Sequence, residues 1–198
     1  MEEIIRKLEK RGFTVHHTAT AAQARETLLA LTAEAETIGI GGSVTIQSLG
    51  ITDDLQAAGK TVYWHWLPGV DAGEMRRKAM FADCYLCSAN AVTEDGKLLF
   101  IDGTGNRVAA LAFGPKRVIL VIGANKLSGD ETVALARIRE KACGPNGRRL
   151  GLKPPCAQTD RCTDCASPQR MCAAFLNLER RPASHPVDII LVDEPLGY

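Results

Sequence analysis

Short runs that are apolar almost throughout, each delivered into a glycine-containing turn, constrain this chain more than any other feature. Residues 37–40 (TIGI) run into Gly41-Gly42-Ser43, residues 97–101 into Asp102-Gly103, and residues 117–122 into Gly123. Residues 61–64, 83–87 and 188–192 are runs of the same kind, and 13–16 is a shorter one. A strand with one wet face alternates apolar and polar residues; most of these do not, which suits a parallel sheet covered on both faces. Helical periodicity fills the intervals: Ile4, Ile5 and Leu8 before Gly12, then Ala24, Leu28 and Leu31 behind the capping residue Thr20. Further helices are predicted from Ser43 through Leu49 and at residues 71–82, 106–112 and 130–142. The alternation predicts an α/β fold, a Rossmann-like, mostly parallel sheet flanked by helices. Such sheets bind ligands beyond the carboxyl ends of their strands, near the point where strand order reverses.

The 198 residues suffice for one domain with a real core. Lys+Arg against Asp+Glu is 24 to 23, which excludes a strongly basic nucleic-acid binder, and a 45% hydrophobic content excludes a disordered chain. The longest aliphatic run, residues 118–122, is far short of the roughly 20 needed to span a bilayer, and charges interrupt the apolar positions at the start. A cytoplasmic protein is expected, with neither membrane nor nucleic acid as partner. Its seven cysteines would then be reduced thiols. The balanced charge conceals an uneven distribution, since residues 141–185 hold eight Lys/Arg and three Asp/Glu. The expected organisation is an α/β body of residues 1–142 and 186–198 and a cysteine-rich segment, 143–185, packed on it. The sequence CGPNGRRLG at 143–151 reads as the break after the last clear helix.

Three loops could carry chemistry. In IGIGGSVT (38–45), glycines allow close backbone approach to an oxyanion and the amides of the following helix start favour negative charge. Gly41, Gly42 and Ser43 are the candidates there, beside the alternative of a plain turn with Ser43 as helix cap. Val44 occupies the third glycine position of a dinucleotide fingerprint, and no acidic residue is placed to hold a ribose, so no NAD is expected. In LLFIDGTGNRVAA (98–110), Asp102 offers an acceptor, Asn106 an amide and Arg107 a fixed cation, although a turn closed by Asp102 and Asn106 is the leading reading. In IGANKLSGD (122–130), Asn125 and Lys126 stand at the end of the most apolar strand. What favours function is the coincidence of three such loops on strands expected to share one sheet.

The pattern Cys156-x5-Cys162-x2-Cys165-x6-Cys172 lies in a Pro-containing, charged segment without an apolar stripe. Four thiolates there can hold a tetrahedral zinc or an iron–sulfur cluster, and the metal would supply folding energy that burial cannot. Cys156, Cys162, Cys165 and Cys172 are the candidate ligands, an iron–sulfur cluster slightly preferred to zinc, against a loop of reduced thiols. Cys84 and Cys87 fall within a strand, where i and i+3 face opposite ways, and read as structural thiols. The run Tyr63-Trp64-His65-Trp66 reads as core or interface, and His65 is not assigned a role.

The run FADCYLCSANAVTEDGKLLFIDGTGNRVAALAFGPKRVILVIGANKL (81–127), preceded by IGIGGSVT, resembles the LUD family, named for lactate utilization. PPCAQTDRCTDCASPQRMC and the closing DIILVDEPLGY resemble its cysteine-containing, stand-alone branch. The resemblance implies a fold similar to that of ribose-phosphate isomerase, glucosamine-phosphate deaminase and CoA transferases. In those proteins a Gly-rich loop after an early strand holds phosphate or CoA, and Gly41, Gly42 and Ser43 match it in position and type. No motif matches the catalytic acidic residues of the isomerases. Some family members serve a lactate-oxidising system alongside iron–sulfur subunits. The expected partner is therefore a small anionic metabolite bound by the eight loop residues, in lactate or organic-acid oxidation. Two alternatives stand beside it: an electron-transfer or assembly subunit that docks a redox protein, and an isomerase or transferase for a sugar phosphate or CoA ester. Whether the chain is catalytic alone, or a homo-oligomer, is left open.

Overall fold

The structure, a computed structural model, describes residues 1–198. Its strands are β1 (Thr14–Thr18), β2 (Thr37–Ile40), β3 (Thr61–Trp64), β4 (Cys84–Cys87), β5 (Ala91–Val92), β6 (Leu98–Asp102), β7 (Arg117–Gly123), β8 (Ala174–Leu178) and β9 (Val187–Val192). Six of them form a sheet in the order β1-β9-β7-β4-β2-β3, every pair parallel. The helices are α1 (Glu2–Lys10), α2 (Ala21–Leu31), α3 (Val44–Ser48), α4 (Thr52–Ala57), α5 (Ala72–Met80), α6 (Asn106–Ala112), α7 (Glu131–Arg137), α8 (Gly144–Arg149) and α9 (Pro155–Thr159).

The uninterrupted apolarity of the central strands has a direct cause. Along β7, Val118, Leu120 and Ile122 enter one core cluster and Ile119 and Val121 the other, and β9 divides Ile189 and Leu191 from Ile190 and Val192 in the same way. All nine are fully buried, each contributing about 1.5–3 kcal/mol by leaving water. Cys84 and Cys87 are buried on opposite faces, one in each cluster. Helix α2 starts as its sequence predicts, Thr20 and Gln23 forming a reciprocal capping box. Helix α5 packs so closely on β2 that a Cβ at Gly39 would stand 2.3 Å from the Ala79 carbonyl oxygen, a contact that only glycine permits.

Two expectations are corrected. Residues 97–101 do not join the parallel sheet: β6 is the centre of a second, antiparallel sheet ordered β5-β6-β8. Asp95-Gly96, with Gly96 at φ +88°, turns β5 into β6, and Asp-Gly between apolar runs is a hairpin signal. Strand β8 was not expected, because AFLNL carries an exposed Phe175 and has no clean alternation. The chain is also not broken at 143. Helix α7 passes through a π-helical turn, Ile138–Cys143, directly into α8, and Pro145, which has no N–H to donate to the preceding turn, follows that π-helical turn at once. Through β8, the stretch 143–185 is hydrogen-bonded into the body.

Strand β2 leads outward to β3, whereas its neighbour β4 leads on to β7 in the opposite direction. The crevice between their carboxyl ends is therefore the switch point of the sheet. No helix is long and apolar enough to cross a membrane.

Candidate functional site

A cavity of about 150 Å³ opens at that switch point. The loop after β2 reaches it first. A Cβ at Gly41 would lie 2.8 Å from the Tyr85 hydroxyl, so glycine lets the backbone pass over Tyr85 and donate from Gly41 N to the Leu86 carbonyl at 2.9 Å. Gly42 and Ser43 line the cavity; Gly41 stands behind it. Ser43 also caps α3, its Oγ accepting from Ile46 N at 3.3 Å.

The loop after β6 forms a facing wall. Asp102 accepts from Thr104 N at 3.2 Å, Arg107 N at 2.8 Å and Val108 N at 3.3 Å. Both carboxylate oxygens thus hold the start of α6, which is the turn-closing role rather than that of a free base. Asn106 and Arg107 also line the cavity. Arg107 donates to the Ser88 carbonyl (3.2 Å), Asn90 Oδ1 (2.8 Å) and the Ile101 carbonyl (2.5 Å), tying the end of β4 to the end of β6. None of these acceptors is charged, so the guanidinium charge still acts on the cavity.

Behind β7, Lys126 lines the cavity and is 3% exposed. Burial, reinforced by Arg137 and Arg107, pushes its ammonium down to about 7. Its Nζ donates to the Tyr198 carbonyl. Asn125 lies outside the lining and pins the chain end, donating to the Gly197 carbonyl at 3.1 Å and accepting from Leu196 N at 3.1 Å. Thr45 Oγ1 donates to the Leu196 carbonyl at 3.3 Å, so residues 196–198 lie strapped across the loops of β2 and β7.

Several lining residues were not among the candidates named from the sequence, four of them able to contribute charge or an aromatic ring. His65 and Trp66 follow β3, Arg76 comes from α5, and Arg149 from α8. Arg76 Nε is buried without a hydrogen-bond partner. Burial, then the charge of Arg76, pushes His65 down to about 4, with Asp102 opposing and Arg149 adding, so the imidazole is neutral at neutral pH. Arg149 lies over the Trp66 ring, 4.3 Å from its centroid. A strand-end signal was available for His65 and Trp66. Nothing local marks Arg76, which in GEMRRKAM reads as part of a solvated helix face. Altogether Arg76, Arg107, Lys126 and Arg149 confront one side-chain carboxylate, Asp102, whose oxygens are already engaged, and the main-chain oxygen of Tyr198, which accepts from Lys126.

The candidate metal ligands gather around a second, small cavity. Cys156, Cys162, Cys165 and Cys172 line it, joined by Cys143 from the π-helical turn. No three of the protein's His, Cys, Asp or Glu side chains close on a single point as one metal ion requires. Burial and then the adjacent thiols, Cys172 first, push Cys143 up to about 12.

An α/β protein with a six-stranded parallel sheet and a cation-lined cavity at its switch point is the class these features define. The chain matches the family model of the LUD domain over residues 1–192, and it belongs to the LUD domain family, the lactate utilization family. Among solved structures it is similar to a DUF162 family protein from Deinococcus radiodurans, at 16% identity and a TM-score of 0.49, covering 96% of this chain and 97% of that one. No curated protein matches it.

Proposed function

We propose that the switch-point cavity binds a short-chain organic acid of the lactate or pyruvate class, and that the protein serves the oxidation of such acids. The observation that carries this reading is Arg76, which lines the cavity and whose buried Nε has no hydrogen-bond partner. A guanidinium fork matches a carboxylate, and an N–H left without an acceptor costs about 1–3 kcal/mol that a bound acid would recover. The cavity of about 150 Å³ leaves room for a compact acid. Family membership agrees at the coarse level.

In this reading Arg76 and Arg149 take the carboxylate, with Gly42 and Ser43 beneath it and Asn106, Arg107 and Lys126 completing the positive surround. Gly41 and Asn125 act from behind, shaping the loop and holding the strap. His65, neutral at neutral pH, accepts a hydrogen bond from the hydroxyl of a 2-hydroxy acid. Calorimetric titration with lactate, pyruvate, a sugar phosphate and CoA tests the proposal. Saturable binding of the acids is expected; binding of the phosphate or CoA alone would replace it with the transferase or isomerase reading.

A further inference from the structure

The second cavity has features that a loop of idle thiols does not need. Five sulfurs from four parts of the chain surround it: Cys143 on the π-helical turn, Cys156 on α9, Cys162 and Cys165 in the following loop, and Cys172 before β8. Residues 160–173 contain neither helix nor strand, and no residue from 158 to 177 is buried. Apolar burial therefore does not hold this stretch, yet its shape is specific. Asp160 and Asp164 adopt left-handed backbone conformations, at φ 56° and 44°, uncommon outside glycine, though Asp tolerates them better than most residues.

What the turns accomplish is to aim donors at sulfur. Within Cys162-Thr-Asp-Cys165, the amide of Asp164 points at Cys162 Sγ at 3.5 Å. Arg170 donates from Nη2 both to Cys172 Sγ at 3.3 Å and to the Asp164 carboxylate at 3.1 Å, and from Nη1 to the Cys165 carbonyl at 2.8 Å, and its Nε is buried with no partner. A neutral thiol is a poor acceptor and gains little from such donors. A metal-bound thiolate carries the charge they complement, and hydrogen bonds to sulfur are part of how proteins hold and tune such centres. Arg139 lines the same cavity, and no carboxylate does.

We propose that this cavity seats an iron–sulfur cluster ligated by Cys156, Cys162, Cys165 and Cys172. Four thiolates are the donor set of an iron–sulfur cluster and equally of a tetrahedral zinc, and the iron, sulfide and zinc analysis below separates the two. The cluster would supply the folding energy that residues 160–173 lack. Cys143 and Met171 line both cavities, so one layer of side chains separates the cluster from the organic-acid site. The proposal does not depend on which acid binds there.

The test is anaerobic purification of the full chain, followed by incubation with ferric iron, sulfide and a thiol reductant, iron and sulfide analysis, zinc analysis and a visible absorption spectrum. Equimolar iron and sulfide with broad charge-transfer absorption is expected. Cys162→Ala and Cys165→Ala change side chains that are exposed and half-buried; each should lose most of the iron at an unchanged far-ultraviolet circular dichroism spectrum. Cys84→Ala, in the body of the sheet, should retain it. Stoichiometric zinc in place of iron, no bound metal, or iron unaffected by the two loop substitutions would overturn the proposal.

Discussion

Arg76 and His65 line the switch-point cavity together, and the Arg76 guanidinium charge adds to burial in pushing the imidazole down to about 4. A bound carboxylate neutralises that charge, so ligand binding should raise the His65 value and draw a proton into the site. Histidine NMR titration of the free and pyruvate-saturated protein checks this. Arg76→Gln should also raise His65, though not to its ordinary 6.5, because burial is the larger cause. A His65 value indifferent to both changes would contradict the arrangement.

The same residue gives a pH dependence of stability. Between pH 6.5 and about 4 the unfolded chain takes up a proton at His65 that the folded chain does not. The contribution to stability is whole above 6.5 and is lost as the pH falls through that interval. Urea midpoints measured from pH 7 to 4 should fall less steeply in His65→Gln.

Lys126 acts at the opposite end of the scale. Its ammonium is held down to about 7 in the fold against 10.5 in the unfolded chain, so between those values the unfolded chain binds the extra proton and stability rises with pH. Lys126→Met should flatten that rise, as read from thermal midpoints at pH 7 and pH 9.5.

Arg107 spans two strand ends through the Ser88 and Ile101 carbonyls and Asn90 Oδ1. Arg107→Ala leaves three acceptors without their donor and should cost ~3 kcal/mol in urea unfolding. Arg107→Lys keeps the charge but not the fork and should recover less than half of that loss.

Gly41 and Tyr85 form a steric pair. Gly41→Ala places a Cβ 2.8 Å from the Tyr85 hydroxyl, and overpacking of this kind costs about 1–3 kcal/mol. The hydroxyl is buried with no partner, so Tyr85→Phe should relieve part of the penalty. A double-mutant cycle without coupling would contradict the close approach.

The parallel sheet was legible because burial on both faces writes itself locally, as in RVILVIG of β7. Thr20 announced α2 equally well. The second sheet was harder to read: Asp95-Gly96 marked a hairpin, but β8 depends on pairing with β6 across more than seventy residues and has no pattern of its own. The loops of Gly42, Ser43, Asp102, Asn106, Arg107 and Lys126 could be named because strand ends carry ligand sites in this architecture. Arg76 and Arg149 could not, since a cationic helix face looks the same whether it meets water or a cavity. The cysteine spacing was visible at once, while Cys143 joined it only through the continuation of α7 past residue 143.

The central claim is that the switch-point cavity takes a small carboxylate through Arg76. Calorimetric titration of pyruvate into the wild-type protein and Arg76→Gln at pH 7 tests it most directly. A hydrogen bond to a charged group is worth about 1.5–3 kcal/mol, so the substitution should weaken binding roughly ten- to hundredfold while the thermal midpoint stays nearly constant. Equal affinity in the two proteins, or no binding by the wild type, would contradict the account.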